Sequence, residues 1–439
     1  MRGIEAALKV YAEVEGGAFA AESLRKVYAE ISPPDRKLAA TLVYCSLRRQ
    51  GLWRHLFMRF SKRDAGAISP HVRNALIIGI AGVVELKYFA LPVLINAIIQ
   101  AVKTGGSERD AGFVNAILHT VADEAPPYLA ELKKSASLRD QALYRGVPGW
   151  AAALWSKDTS IADAKRLVRS VGMKTYLSLR VTEGVDRERQ LEAYRASGRA
   201  AWASAWLKSS IRTAANPFPL DLPGYKEGKI TPQSESSIFV GETAARHYKS
   251  GIALDMCCGR GVKTGQLASL LPHARIEAWD LSMPRVQAAE RELKRLGLSE
   301  RVNFKAGDAL KNIPEEAPGL ILLDAPCSGS GTWGRHPESK WRMTPEIVAE
   351  NARLQKKLLA KAVKMIAPGG IIAYSTCSTF KEENEKVVAS VMAEFSDLVE
   401  VPVERTRGFT VKGKPWGTVV WPALPWVDGF FITLLAKRK

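Results

Sequence analysis

From residue 236 to the end of the chain, short apolar runs of strand length alternate with helical segments, and a doubly wound, mostly parallel sheet is the arrangement that absorbs such alternation. The runs are Ile252-Ala-Leu-Asp255, Ile276-Glu-Ala-Trp-Asp280, Val302-Asn-Phe304, Leu320-Ile-Leu-Leu323, Ile371-Ile-Ala-Tyr374 and Phe430-Phe-Ile-Thr-Leu-Leu435. Between the fourth and fifth, Thr344 caps a helix, Pro345 opens it, Leu354, Leu358, Ala362 and Ile366 recur every four residues, and Pro368-Gly369-Gly370 ends it. Open sheets of this kind hold ligands beyond the carboxyl ends of their strands. Two of the runs lead straight into a cysteine, in Asp324-Ala-Pro-Cys327-Ser-Gly and Tyr374-Ser-Thr-Cys377-Ser, so two thiols are expected to face one site.

The other cysteines are Cys45, Cys257 and Cys258. An odd number of cysteines in a large chain, with no Cys-x-x-Cys pair and with scattered histidines, points to reduced thiols and away from a disulfide framework or a metal site. Met1-Arg-Gly-Ile-Glu-Ala-Ala-Leu has no long apolar core, and no run approaches the ~20 residues that span a bilayer. The expectation is a cytoplasmic monomer. At 439 residues the chain is long enough for two or three domains.

A net charge of +18 favours an anionic polymer as partner. Basic residues outnumber acidic ones 18 to 13 over 1–135, 16 to 10 over the next hundred residues and 29 to 22 over 236–439. A surplus in every segment fits a long RNA footprint better than one local patch.

Residues 1–135 read as all-helical, with helices expected at 4–14, 20–30, 36–49, 70–87, 92–103 and 109–122. Ser32-Pro33-Pro34-Asp35 and Ser69-Pro70 are start signals, because serine caps free amides and proline suits a first turn. Leu76, Ile77, Ile80, Val83, Val84 and Leu86 make a broad apolar face for bundle packing. Arg48, Arg49, Arg54, Arg59, Lys62 and Arg63, interleaved with Trp53 and Phe57, read either as a grip on phosphates and bases or as a solvated helix end. Pro126-Pro127 and Val147-Pro148-Gly149-Trp150 mark a linker. Beyond it, residues 145–235 combine helices at 161–171 and 187–197 with the strand-like Tyr176-Leu-Ser-Leu-Arg-Val181, and Pro217, Pro219 and Pro223-Gly224 close this small α/β domain.

Two segments of the helical region carry a resemblance. Asp35-Arg-Lys-Leu38 through Tyr44-Cys-Ser-Leu-Arg-Arg49, and Gly112-Phe-Val-Asn-Ala-Ile-Leu118, resemble the NusB-like helical domain that precedes the enzyme in bacterial small-subunit rRNA cytosine-5 methyltransferases, the Sun or Fmu group. Residues 145–235 are similar to the small RNA-positioning domain of that family. The family's usual Gln-Asp ahead of its catalytic domain is Gln233-Ser234 here.

The first strand-to-helix turn, Asp255-Met-Cys257-Cys258-Gly259-Arg260-Gly261-Val262-Lys263-Thr264, has the glycines that let backbone approach a ligand and a helix N-terminus that offers free amides. Asp280 and Asp308 end the next two strands, where one carboxylate suits a ribose diol and the other an adenine amine. This is the pattern of an S-adenosylmethionine site in a Rossmann-like class I methyltransferase; a dinucleotide site is the alternative. The family's motif is Asp-x-Cys-Ala-Ala-Pro-Gly-Gly-Lys-Thr, which Asp255, Cys257, Gly261, Lys263 and Thr264 match and from which Cys258, Gly259, Arg260 and Val262 depart. Arg285 matches a further cofactor-side position.

The two cysteine motifs also match this family, so the resemblance spans nearly the whole chain. It implies Cys377 as nucleophile, Cys327 in product release, and Asp324 both beside the cofactor and on the cytosine ring nitrogen and exocyclic amine. Carbon 5 of cytosine is a poor nucleophile until a thiolate adds to carbon 6, which is why a cysteine is wanted. Lys263 either lowers a nearby thiol's pKa or orients the substrate. Arg335-His336-Pro337 and Lys340-Trp341, past the fourth strand, are expected to touch RNA. The expected protein is a methyltransferase domain over 236–439, preceded by a helical domain over 1–135 and a small α/β domain over 145–235. It would act on small-subunit rRNA, with tRNA, or RNA binding by a lapsed enzyme in ribosome assembly or antitermination, as alternatives.

Overall fold

The computed structural model describes all residues except 1, 62–67, 87–88, 215–221, 405, 407, 414, 424 and 439. Lys62, Arg63, Pro217 and Pro219 therefore lie outside the described residues. The chain divides into two compact units, Met1–Met173 with Trp333–Arg342, and Lys174–Thr332 with Met343–Lys439.

The first unit is helical: α1 (Arg2–Glu15), α2 (Ala20–Tyr28), α3 (Pro33–Arg48), α4 (Gln50–Phe60), α5 (Pro70–Glu85), α6 (Leu91–Gly105), α7 (Glu108–Lys134), α8 (Leu138–Arg145), α9 (Gly149–Asp158) and α10 (Ile161–Val171). Both expected start signals work: the Ser32 hydroxyl accepts from Asp35 N and the Ser69 hydroxyl from Val72 N. Leu42, Leu47, Ile77, Ile80, Val114 and Leu118 are buried along α3, α5 and α7 and make one continuous core. Helix α7 runs straight through Pro126 and Pro127, where a linker was expected. Both prolines are exposed, so the carbonyls they leave without an amide partner can face water, while Val121, Ala125 and Leu132 anchor the opposite face. Helices α9 and α10, in the stretch expected to open the small α/β domain, pack with this unit.

Helix α4, unforeseen in the sequence, changes the reading of the basic, aromatic stretch. Trp53 and Phe57 are buried core residues, so they do not stack on bases. The Trp53 indole donates to Cys45 O at 3.0 Å, and Arg49, ion-paired with Glu85, lies over the rings of Trp53 and Tyr144. Lys340 and Trp341 are also corrected. Lys340 is fully buried and donates to Arg48 O at 2.6 Å, and the Trp341 indole donates to Leu47 O at 2.6 Å, so both serve packing inside this unit. Burial, with Arg48 and Arg49 nearby, holds the Lys340 amine well below the usual lysine range.

The second unit carries two sheets. The smaller is antiparallel, in the order β2-β3-β1-β4, from β1 (Leu177–Val181), β2 (Ala201–Ala203), β3 (Ser210–Thr213) and β4 (Ile230–Pro232). Just after it, Gln233 is buried between Arg180 and Gln266, with a 2.7 Å hydrogen bond to each, and Ser234 caps the helix Glu235–Arg246.

The larger sheet contains all six expected strands: β5 (Ile252–Asp255), β6 (Arg275–Asp280), β7 (Val302–Ala306), β8 (Leu320–Asp324), β9 (Ile371–Thr376) and, at its C-terminus, β13 (Phe430–Lys437). It adds β10 (Leu398–Val401), β11 (Thr410–Lys412) and β12 (Thr418–Val420), short strands without the apolar run of a central strand. The order is β11-β12-β13-β9-β8-β5-β6-β7, with β10 also paired to β13. Strands β5 to β9 pair in parallel and the remainder antiparallel. No helix among the described residues is long and apolar enough to cross a membrane.

Because the Trp53 indole sits in the helical core, Trp53→Ala should destabilise the protein by about 3 to 5 kcal/mol in urea unfolding. A loss below about 1 kcal/mol would return the ring to the surface role read from sequence.

Candidate active site

The strand order reverses at β5, whose neighbours β6 and β8 lie on opposite sides, and ligand crevices in open parallel sheets form at such a switch. Three strands end here in the residues singled out from sequence. Strand β5 ends in Asp255, β8 in Asp324, and β9 in Thr376, one residue before Cys377. The parallel register sets Asp324 beside Ser375, and the chain continuing from each strand brings Cys327 Sγ to 3.4 Å from Cys377 Sγ, across fifty residues of sequence. Both thiols are half-buried and free.

Asp324 is held by two donors, Ser375 Oγ at 2.9 Å on Oδ1 and Lys263 Nζ at 2.7 Å on Oδ2. Its side chain remains 29% exposed whereas that of Lys263 is 11% exposed, so the carboxylate is the member of the pair open to a ligand. Burial works against the Lys263 charge, but the Asp324 carboxylate and, to a lesser degree, Cys377 and Asp255 outweigh it and raise the amine above its usual range. Lys263 is thus a fixed ammonium ion, 5.5 Å from the centre of the Phe430 ring. The Cys327 thiol is pushed well up, first by its hydrogen bond with Cys377 and then by burial.

The glycine turn between β5 and the helix Val262–Leu270 uses two left-handed residues, Gly259 (φ 56°) and Gly261 (φ 77°), where a side chain would be strained. At Gly261 a Cβ would also come within 2.8 Å of Ala289 Cβ. Cys258 N donates to Trp279 O at 2.7 Å and Gly259 N to Asp280 Oδ2 at 3.0 Å, so β6 braces the turn. The other Asp280 oxygen accepts from Ser282 N, and Asp308 Oδ1, after β7, accepts from Leu310 N. Burial drives the thiols of Cys257 and Cys258 up, as inert packing thiols require. Arg260 is exposed and Val262 is the first helical residue, so these departures from the family motif enter without displacing the glycines. Arg285 is exposed in the first turn of the helix Met283–Arg295 and takes no part in the bonds that hold Asp280.

The structure therefore brings together Cys327, Cys377, Asp324 and Lys263, and joins the turn 257–263 to Asp280. It also adds residues not singled out from sequence. Ser375 lies in the motif Tyr374-Ser-Thr-Cys377, two residues before the cysteine, which is the signal the sequence offers for it. Phe430 and Glu383 carried none: one is a strand residue at the far end of the chain, the other part of the acidic run Lys381-Glu-Glu-Asn-Glu-Lys386. A cleft of about 820 Å³ lined by Trp206, Phe239, Glu242 and Arg246 shares no residue with this cluster and has no comparable convergence of reactive groups.

A mixed sheet whose parallel core, β5 to β9, reverses order at a glycine turn is a Rossmann-like methyltransferase fold. Residues 246–436 match the family described as 16S rRNA methyltransferase RsmB/F, and residues 4–123 match the NusB family. The C-terminal part of the chain is thus an RsmB/F-type methyltransferase domain, and a NusB-type domain precedes it. The chain is 28% identical to the probable ribosomal RNA small subunit methyltransferase B of Synechocystis, over 93% of this chain and 92% of the other. It is 29% identical to the ribosomal RNA small subunit methyltransferase B of Thermus thermophilus, over 98% and 96% of the two chains. Among solved structures, PH0851 matches in fold over 99% of this chain and 98% of its own, with TM-score 0.84 and 23% identity. A methyltransferase homolog from Pyrococcus horikoshii, 26% identical, covers 69% of this chain and 99% of its own with TM-score 0.58.

Asp255 supplies a pH test. Its carboxyl is 1% exposed, Oδ2 accepts from Thr264 Oγ1 at 2.7 Å, and burial pushes its pKa from 3.8 to about 7. Between those values the folded protein holds a proton that the unfolded chain has lost, so stability should fall as pH rises through the window and level off above it. Asp255→Asn, which cannot ionise, should show a shallower fall in thermal midpoint across the same range. Equal pH slopes for the two proteins would mean that Asp255 is ionised throughout.

Proposed function

We propose that the protein transfers a methyl group from S-adenosylmethionine to carbon 5 of a cytosine in small-subunit rRNA through a covalent cysteine adduct. The observation that carries the reading is the pair of thiols 3.4 Å apart, beside the Lys263–Asp324 ion pair, at the ends of adjacent parallel strands. The rRNA substrate follows the names of the relatives, and the basic surplus over all parts of the chain supports it. In this reading residues 1–135 and the small sheet grip RNA, and the enzyme works in the cytoplasm as a monomer.

S-adenosylmethionine, when bound, supplies an electrophilic methyl group on its sulfonium. The residues present fit it. The turn 257–263, with its two left-handed glycines, lets backbone approach a ligand closely, and Gly259 N ties it to the Asp280 carboxylate. Asp280 would hold the ribose hydroxyls, Asp308 would face the adenine amine, and Asp324 would stand between cofactor and base.

The chemistry assigned to this chain begins at Cys377. The buried ammonium of Lys263 favours the thiolate form of a neighbouring cysteine, and Cys327, whose thiol is driven up by its bond with Cys377 and by burial, is the stronger base of the pair once its proton is lost. The Cys377 thiolate adds to carbon 6 of the cytosine, and carbon 5 becomes the nucleophile of an enamine. Asp324, fixed by Ser375 and Lys263, would hold the ring nitrogen and exocyclic amine in the protonated form that makes this addition possible. Once carbon 5 has taken the methyl group, Cys327, having given its own thiol proton to solvent, takes the proton from carbon 5; that electron pair restores the bond between carbons 5 and 6, and Cys377 leaves as the thiolate.

The two cysteines should separate by step. Cys377→Ala should abolish both methyl transfer and any covalent RNA adduct. Cys327→Ala should attack and methylate but fail to eliminate, leaving a protein–RNA species that survives denaturing electrophoresis and collapses on RNase digestion. An adduct that accumulates with Cys377→Ala and vanishes with Cys327→Ala would reverse the roles.

Cofactor binding is tested separately. Asp308→Ala should weaken S-adenosylmethionine binding by roughly 1.5 to 3 kcal/mol in calorimetry if a charge-assisted hydrogen bond is lost. Unchanged affinity would remove Asp308 from the adenine. The substrate is read by bisulfite mapping of RNA from cells lacking the protein, where one methylcytosine of small-subunit rRNA should disappear.

A further inference from the structure

Behind the two thiols lies a carboxylate with no counter-ion among the described residues. Glu383 is fully buried, yet among the described residues its oxygens meet only hydrogen-bond donors: Ser328 N at 2.7 Å and Gln355 Nε2 at 3.4 Å on Oε1, and Ser328 Oγ at 2.5 Å on Oε2. Burying a carboxylate without a cation is costly, and burial indeed raises the Glu383 pKa despite these bonds. A fold that needed only a filled core would place an apolar side chain here.

The donors explain the choice. Ser328 directly follows Cys327, and Ser378 directly follows Cys377. Gln355, which touches Glu383, also donates to Pro326 O at 2.8 Å, so the peptide groups on both sides of Cys327 are tied to the Glu383–Gln355 pair. The Ser328 and Ser378 hydroxyls lie 3.3 Å apart, Tyr374 OH donates to Glu383 O at 2.6 Å, and Gly331 N donates to Cys377 O. Gly331 can hold this place only without a side chain, because a Cβ would come within 1.9 Å of Gly429 O. The carboxylate therefore fixes the Cys327 loop directly and, through the Ser328 hydroxyl it holds, joins that loop to Ser378 of the Cys377 loop.

We propose that Glu383 is a positioning residue that clamps the Cys327 loop to the Cys377 loop and so sets the distance between the two thiols. It touches neither thiol and donates nothing to a substrate, and it acts through the peptide after Cys327. The inference rests on the reading that both cysteines take part in one reaction, but its test does not need that reaction.

Two thiols held 3.4 Å apart should close rapidly to a disulfide when diamide removes two electrons and two protons from the pair, because little movement separates them from bonding geometry. The rate, followed on the full chain by peptide mapping of Cys327–Cys377, reports the clamp directly. Glu383→Ala should slow closure and lower kcat together, each by about ten- to a hundredfold, with KM for RNA unchanged, as expected when reacting groups drift by about an ångström. Glu383→Gln keeps an acceptor for Ser328 N and should stay within about threefold of the unaltered protein in both readouts, since hydrogen bonds rather than charge do the holding. If Glu383→Ala does not fold, Ser328→Ala, which removes the hydroxyl limb alone, replaces it and should still slow closure severalfold. Closure at the original rate in a folded Glu383→Ala or Ser328→Ala protein, or a folded Glu383→Gln protein as slow as Glu383→Ala, overturns the proposal. If the unaltered protein closes its dithiol and the variants behave as expected but no RNA is methylated, the clamp stands and the proposed reaction falls.

Discussion

The parallel pairing of β8 with β9 is the constraint on which the site depends. Adjacent strands run about 4.8 Å apart, and the register that sets Asp324 beside Ser375 carries the two chains out of the sheet at the same level. A slip of one residue would turn every side chain of one strand to the opposite face. Asp324 would lose the Ser375 hydroxyl, and the cysteines would leave their loops in different directions. The buried residues Ile321, Leu323, Ile372 and Tyr374 hold that register through one core on a single face of the sheet.

Charge is organised around the same point. Lys263 and Asp324 are an ion pair in a partly dry environment, where losing one partner leaves the other without compensation. Asp255, nearby and buried, is kept from ionising easily, which limits the negative charge the cluster must carry. Glu383 adds a further buried carboxylate held only by neutral donors. Three acids and one lysine beneath two thiols cost folding free energy that an apolar core would not, and such concentrations of strained electrostatics are a mark of reactive sites.

The helical unit shows the opposite economy. Its aromatic residues Trp53 and Phe57 are buried in the core, Arg49 lies over the rings of Trp53 and Tyr144, and even Lys340 is consumed by a backbone carbonyl. The basic surplus available to an anionic partner is therefore smaller than the residue count implies, and it lies with exposed side chains such as Arg54 and Arg59, although Arg54 also pairs with Glu15.

What depends on a few neighbouring residues can be read from the chain alone. Strands β5 to β9 are legible as apolar runs, helix starts as Ser or Thr ahead of proline, and both cysteine motifs as strand ends, because each signal is local and carried by backbone propensity. Tertiary structure decided which side of an element faces inward. Leu354 fits the apolar spacing of its helix yet is 37% exposed, while Gln355 beside it is fully buried to hold the Cys327 loop. Helix α7 outlasts two prolines because packing along its buried face outweighs two missing hydrogen bonds. Glu383 was invisible for the same reason: in sequence it is one charge in an acidic run, and only the tertiary fold brings Ser328 and Gln355 to it as the donors that make a buried carboxylate tolerable.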